Sequence, residues 1–257
     1  MKKTILVTGA TSGFGKAIAT LFARNGHDII ITGRRSDRLA ALKEELEQFP
    51  GVKITSLCFD VRDKDAVKQT FDELAASQQR IDILVNNAGL AAGMSSIDEG
   101  NTDDWDLMID TNIKGLLYVT RQVVPFMKQQ KAGHIFNIGS TAGKVVYKNG
   151  NVYNATKFAV DALNQSMRID LLPYGIKVTG VNPGMAETEF SLVRYKGDQE
   201  RAAKVYEGIE PLRAEDIADV VYYCANVPAH VCINDLTLTC TYQANAIYTV
   251  REGEKIN

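Results

Sequence analysis

Short β-branched runs alternate along the chain with segments whose apolar residues recur every three to four positions. The short runs, at 3–8, 28–32, 52–59, 81–85, 133–139, 176–182 and near 236–240, predict strands. The periodic segments, at 16–25, 38–48, 63–77, 103–130, 151–172 and 214–226, predict helices. Gly26 closes the first helix, Ser36 or Asp37 is placed to cap the second, and Thr102 or Asp103 to cap the fourth. Strand–helix alternation implies a parallel sheet with helices on both faces: an α/β fold in one domain, 1–257, doubly wound, with about seven strands. Residues 185–213 break the rhythm with polar, charged and mixed composition and read as a mobile lid over a cleft. The tail from Tyr242 gives no clear pattern.

At 257 residues, 45% hydrophobic, the chain suits a single domain with a large core. A formal net charge of −2 gives no reason to expect nucleic acid or an anionic membrane as partner. No apolar run approaches the ~20 residues of a membrane span, and the N-terminus runs into a glycine loop instead of a signal-peptide core. The expected location is cytoplasmic. There Cys58, Cys224, Cys232 and Cys240, scattered without a C-x-x-C, read as small buried residues rather than disulfides or metal ligands. His27 and His134 each follow a glycine at an expected strand start, and no metal site is expected.

The first strand leads into Gly9-Ala10-Thr11-Ser12-Gly13-Phe14-Gly15 and then a helix. Strand, glycine turn and helix open a Rossmann-type dinucleotide-binding unit: glycine lets backbone N–H groups approach a pyrophosphate, which sits on the positive helix end. The second strand ends where an NAD enzyme places an acid for the ribose diol, but here stand Gly33, Arg34 and Arg35. Two guanidinium forks suit a 2′-phosphate and point to NADP. Asp60 and Val61 are placed to border an adenine. In Asn86-Asn87-Ala88-Gly89 the small residues let a ligand pass, and the amides can tie strand ends together.

Tyr153 and Lys157 stand one helical turn apart. An ammonium beside a phenol favours the phenolate, lowering the phenol pKa toward that of a general base or acid.

Together these residues resemble the short-chain dehydrogenase/reductase family over essentially the whole chain. Gly9-x-x-x-Gly13-x-Gly15 is similar to its cofactor fingerprint and Asn86-Asn87-Ala88-Gly89 to its N-N-A-G element. Asn112, Ser140, Tyr153 and Lys157 fall where that family has its catalytic tetrad, and Pro183-Gly184-x-x-x-Thr188 resembles the segment that orients the nicotinamide carboxamide. A nearer resemblance, through Gly33-Arg34-Arg35, Gly139-Ser140-Thr141-Ala142-Gly143, Thr188-Glu189-Phe190-Ser191 and Pro228-Ala229-His230-Val231, is to the NADP-dependent 3-hydroxy acid (serine, allo-threonine) dehydrogenase branch. The segment 144–148 and the tail depart from it.

The resemblance implies that Tyr153 as phenolate takes the hydroxyl proton while Ser140 holds the substrate oxygen. Lys157 lowers the Tyr153 pKa and can bind the nicotinamide ribose, and Asn112 holds a water linking Lys157 to solvent. A hydroxy acid also needs a cation for its carboxylate; Arg194 in the lid is the first candidate, with Lys148 and Lys196 behind it. A homotetramer is implied through the helices 103–130 and 151–172. A non-catalytic NADP(H)-binding regulator, or a reductase of another ketone, sugar or pterin, are the alternatives.

Overall fold

The computed structural model describes residues 2–77 and 79–253. Seven strands form one parallel sheet: β1 (Thr4–Val7), β2 (Asp28–Gly33), β3 (Ile54–Cys58), β4 (Ile83–Asn86), β5 (Gly133–Ile138), β6 (Ile176–Pro183) and β7 (Asp235–Leu238). Their spatial order is β3-β2-β1-β4-β5-β6-β7. The order reverses between β1 and β4, so the loops leaving these two strands diverge and open a crevice at their carboxyl ends.

Successive strand residues point to opposite faces, which sorts the core into two layers. Ile5, Val7, Ile29, Ile31, Val85 and Phe136 pack against α1 (Gly13–Arg24), α2 (Ser36–Leu46) and α9 (Ala214–Asn226). Leu6, Ile30, Leu84, Ile135 and Val178 pack against α3 (Lys64–Ala76), α5 (Leu116–Gln130) and α6 (Asn151–Leu171). Strands buried on both faces need continuous apolar runs, which is why β1, β2 and β4 read so plainly in the sequence.

Three boundaries differ from expectation. The second helix starts at Ser36 itself, after Arg35, with no side-chain cap from Ser36 or Asp37. Asn101, rather than Thr102 or Asp103, caps α4 (Thr102–Ile109), accepting from the Asp103 and Asp104 N–H groups. The helix expected to run unbroken to Gln130 is divided by a wider π-type turn, Asp110–Gly115, that carries Asn112. Gly115 ends that turn against Val61, where a Cβ would come within 2.7 Å of the valine methyl.

The irregular stretch after β6 contains two short helices, α7 (Glu189–Arg194) and α8 (Gln199–Lys204). The tail folds back on itself, with Gln243 bridged to Thr249 and the Val250 N–H donating to the Tyr242 carbonyl. All four cysteines are free, but Cys58 is exposed, against the expectation of burial. No helix among the described residues is long and apolar enough to cross a membrane.

Candidate active site

The crevice is lined by strand ends that buried amides tie together. Asn87 donates to the Thr8 and Gly9 carbonyls at 2.9 and 3.1 Å, joining β4 to the glycine loop, and the Thr8 hydroxyl accepts from the Asn87 and Ala88 N–H groups. Asn86 donates to Asn137 on β5 and to Thr120 on α5, and Asn137 donates to Asn164 on α6. A low-dielectric interior strengthens these bonds and makes their disruption costly, although the Asn86 side-chain carbonyl oxygen is buried without a partner. The network fixes the positions from which Ser140, Tyr153 and Lys157 project.

The glycine loop is shaped for a dinucleotide. Gly9 adopts φ +63°, which L side chains rarely take. At Gly15 a Cβ would lie 2.4 Å from the Gly9 carbonyl oxygen. The first turn of α1 contains no acid, and the Ser12 side chain forms no cap, so its N–H groups face the crevice as anion donors. Phe14 packs toward the core behind them. Beside the loop, Arg35 donates to the Thr11 hydroxyl at 3.0 Å, and Arg34 lies 3.5 Å from Asp60. Burial alone would raise the Asp60 carboxyl, but hydrogen bonds from Arg62, backed by the Arg34 charge, hold it below the usual range. Glycine loop, bare helix end and arginines therefore fit a phosphorylated dinucleotide. Val61 is buried at the end of β3, and Ala88 and Gly89 follow β4 into the cleft.

Ser140 follows β5 with extended backbone, its hydroxyl accepting from the Ala142 N–H at 3.1 Å. Tyr153 and Lys157 lie on the buried face of α6, the ammonium 5.9 Å from the phenol ring centre. The expected lowering of the phenol is not what the structure shows. Burial, with the neighbouring Tyr147, pushes the Tyr153 phenol well above its ordinary value; hydrogen bonding from Ser140 and the Arg194 charge pull it back only in part. The Lys157 ammonium donates to the Ile138 carbonyl at 2.9 Å, and burial lowers its pKa to about 8. Tyr153 is thus a neutral phenol here, suited to give a proton.

Asn112 lies in the wide turn before α5. Its amide N–H₂ donates to the Leu90 carbonyl and the Thr156 hydroxyl, and its carbonyl accepts from the Leu90 N–H. The side chain thereby fastens the loop after Gly89 to α6.

Arg194 comes into the same site from α7. Its guanidinium carbon lies 5.3 Å from the Tyr153 ring centre and 5.4 Å from that of Tyr147, whose hydroxyl accepts from it at 2.5 Å. Its Nε is buried without a protein partner. Tyr153 and Arg194 share the wall of a cavity of about 250 Å³ with Ala92, Met94, Trp105, Met108 and Asn149. Lys196 also reaches this cavity, paired with Asp104 at 2.9 Å, whereas Lys148 does not.

Pro183 and Gly184 end β6 beside β7, the Gly184 N–H donating to the Leu238 carbonyl, while the Thr188 hydroxyl caps α7. Buried Gln243 accepts from the Met185 N–H at 2.7 Å. Sequence reasoning missed Tyr147 and Gln243. Tyr147 lies in the segment 144–148 and Gln243 in the tail, the two stretches that depart from the branch pattern, which was the available signal.

A family model described as short chain dehydrogenase matches residues 3–198. The chain is 47% identical over 250 residues to an NADP-dependent 3-hydroxy acid dehydrogenase of Salmonella typhi, covering 97% of this chain and 99% of that one. It is 46% identical over 251 residues to sulfoacetaldehyde reductase 2 of Chromohalobacter salexigens, covering 97% and 99%. Among solved structures, the closed form of serine dehydrogenase complexed with NADP+ superposes with a TM-score of 0.89 at 45% identity, covering 96% of this chain and 99% of that one. With the glycine loop, the strand order and the Ser140, Tyr153 and Lys157 arrangement already in place, the chain belongs to the short-chain dehydrogenase family.

Proposed function

We propose that this protein is an NADP-dependent dehydrogenase that interconverts an alcohol and a carbonyl on small 3-hydroxy acids. One observation carries the substrate class: Tyr153, a proton-transfer group, and Arg194, a cation, line the same 250 Å³ cavity, the guanidinium carbon 5.3 Å from the phenol ring centre. A cation beside the proton-transfer group suits a molecule that carries a carboxylate near its reacting oxygen.

In the reductive direction Tyr153 donates its phenolic proton to the substrate oxygen, and in the oxidative direction it accepts the proton as phenolate. Ser140 hydrogen-bonds that oxygen and stabilises the charge it develops. Lys157, whose lowered pKa allows proton exchange near neutrality, carries the proton onward and favours the phenolate when charged. Asn112 is a positioning residue that keeps the loop after Gly89 on α6. Arg194 binds the carboxylate through its guanidinium fork, and the segment 185–213 acts as the lid that brings it in.

When bound, the nicotinamide supplies the partner for hydride exchange with the substrate carbon. Gly9, Thr11, Ser12, Gly13, Phe14 and Gly15 would hold its pyrophosphate, and Arg34 and Arg35 its 2′-phosphate. Asp60 and Val61 would border the adenine; Asn87, Ala88, Gly89, Tyr153 and Lys157 would line the ribose, and Pro183, Gly184 and Thr188 the carboxamide. Exposed Leu117 on α5, Phe158 and Ile169 on α6 and Leu172 just beyond it support a homotetramer built through those helices.

The test is cofactor reduction by serine, 3-hydroxypropionate and 3-hydroxyisobutyrate, with neutral alcohols alongside, using NADP and NAD in parallel. Turnover of the acids with NADP preferred is expected. Turnover of neutral alcohols alone overturns the substrate class, and a strong NAD preference overturns the role of Arg34 and Arg35.

A further inference from the structure

The arginines beside the glycine loop already have an anionic partner from the lid. Glu189, first residue of α7, takes both carboxylate oxygens to Arg38 at 2.9 and 3.0 Å and lies 3.8 Å from Arg35. The contact spans 151 residues of sequence, joining the start of the lid to α2 across the mouth of the cofactor crevice. A carboxylate held by two guanidinium groups offers them a negative charge and a two-oxygen face, as two oxygens of a phosphate monoester would. Arg35 is meanwhile fixed from its other side by the Thr11 hydroxyl of the glycine loop. Arg35 and Arg38 thus bring two guanidinium groups against the single lid carboxylate, while the neighbouring Arg34 lies 3.5 Å from Asp60.

We propose that Glu189 is a specificity-determining residue of the cofactor site: its carboxylate occupies the arginine cluster in place of a 2′-phosphate and so weakens phosphate binding. The inference rests on the NADP reading given above. A dianionic 2′-phosphate entering the cluster must share Arg35 and Arg38 with Glu189 and meets its repulsion, while a cofactor without that phosphate leaves the clasp intact. Glu189 therefore narrows the preference for phosphorylated over unphosphorylated dinucleotide. A 2′-phosphate that displaces Glu189 from this clasp would gain Arg38 as a further ligand.

Calorimetric titration with 2′,5′-ADP and with ADP separates the parts. Wild type should bind 2′,5′-ADP more tightly; equal affinity for the two would overturn the arginine reading itself, whatever Glu189 does. Glu189→Gln, close in shape and uncharged, should tighten 2′,5′-ADP about 3- to 10-fold and leave ADP within about 2-fold. The gain should shrink in 0.5 M salt, as screening of exposed charges requires. Arg38→Ala should lose 2′,5′-ADP affinity, and adding Glu189→Gln to it should yield less than in wild type. If Glu189→Gln changes both ligands equally, leaves both unchanged, or weakens 2′,5′-ADP, Glu189 is not a competitor for the phosphate site.

Discussion

The two walls of the crevice beside Tyr153 are built differently. The wall from β5 and α6 sets Tyr153 and Lys157 among buried side chains, with Lys157, Asn112 and Thr156 joined by hydrogen bonds to one another or to main chain. The wall from 185–213 is made of two six-residue helices whose charged residues pair at the surface, Glu189 with Arg38 and Lys204 with Glu200. Exposed pairs contribute little each, whereas a buried polar network holds its geometry tightly. On the function proposed above, chemistry thus falls on the tightly held wall, and substrate choice on the one that can change with few side chains. Arg194 crosses between them, rooted in α7 yet held by Tyr147 of the other wall.

The sharpest way to break this division is at the rigid wall. Tyr153→Phe keeps the ring packing and removes the proton, so kcat should fall about 100-fold or more with cofactor affinity little changed. Steady-state rates near wild type would show that the phenol is not the acid. On the other wall, Arg194→Ala should raise KM for 3-hydroxy acids about 10- to 100-fold, the range of a hydrogen-bonded charge, while neutral alcohols shift by less than about 3-fold. Equal shifts on both would remove Arg194 from carboxylate binding.

Stability should follow the sheet rather than the lid. His134 on β5 is buried against Phe136 with its ring nitrogen 2.8 Å from the Thr179 hydroxyl, and burial lowers its pKa to about 3. Below pH 6.5 the unfolded histidine gains a proton that the folded one refuses until about pH 3. Stability therefore falls as pH drops through that window, by up to about 1.4 kcal/mol per unit. Denaturant melts at pH 7 and pH 5 should show the slope, and His134→Gln should flatten it. The smallest effect is expected at the joint between the walls. Tyr147→Phe frees one Arg194 hydrogen bond and should raise hydroxy-acid KM about 2- to 10-fold with kcat kept; a fall in kcat alone would place Tyr147 in the chemistry.

The sheet was legible because parallel strands buried on both faces must be written as unbroken apolar runs. The glycine loop was legible because Gly9 and Gly15 answer to backbone constraints that local sequence displays. Ser140, Tyr153 and Lys157 were found through spacing and resemblance, but their electrostatics were not. Spacing puts an ammonium beside a phenol; only the packing shows that the ammonium turns to the Ile138 carbonyl and that burial dominates the phenol. Asn112 was placed correctly and its partners were not, since Leu90 and Thr156 come from separate segments brought together by the wide turn. Contacts such as Arg38 with Glu189, or Tyr147 with Arg194, join residues whose separation in the chain carries no periodic signal.

Gln243 has a consequence for how the protein comes into being. It braces the Met185 main chain from beyond β7, adding to the Leu212 contacts that hold residues 185–187, so the loop after β6 gains its last support only once the chain has been made past every strand of the sheet. Synthesis from the amino end releases the glycine loop early and Tyr153 midway, while the stretch that carries Gln243 docks last. A nascent chain halted before residue 243 therefore carries the Tyr153–Lys157 pair without the Gln243 brace on the loop after β6.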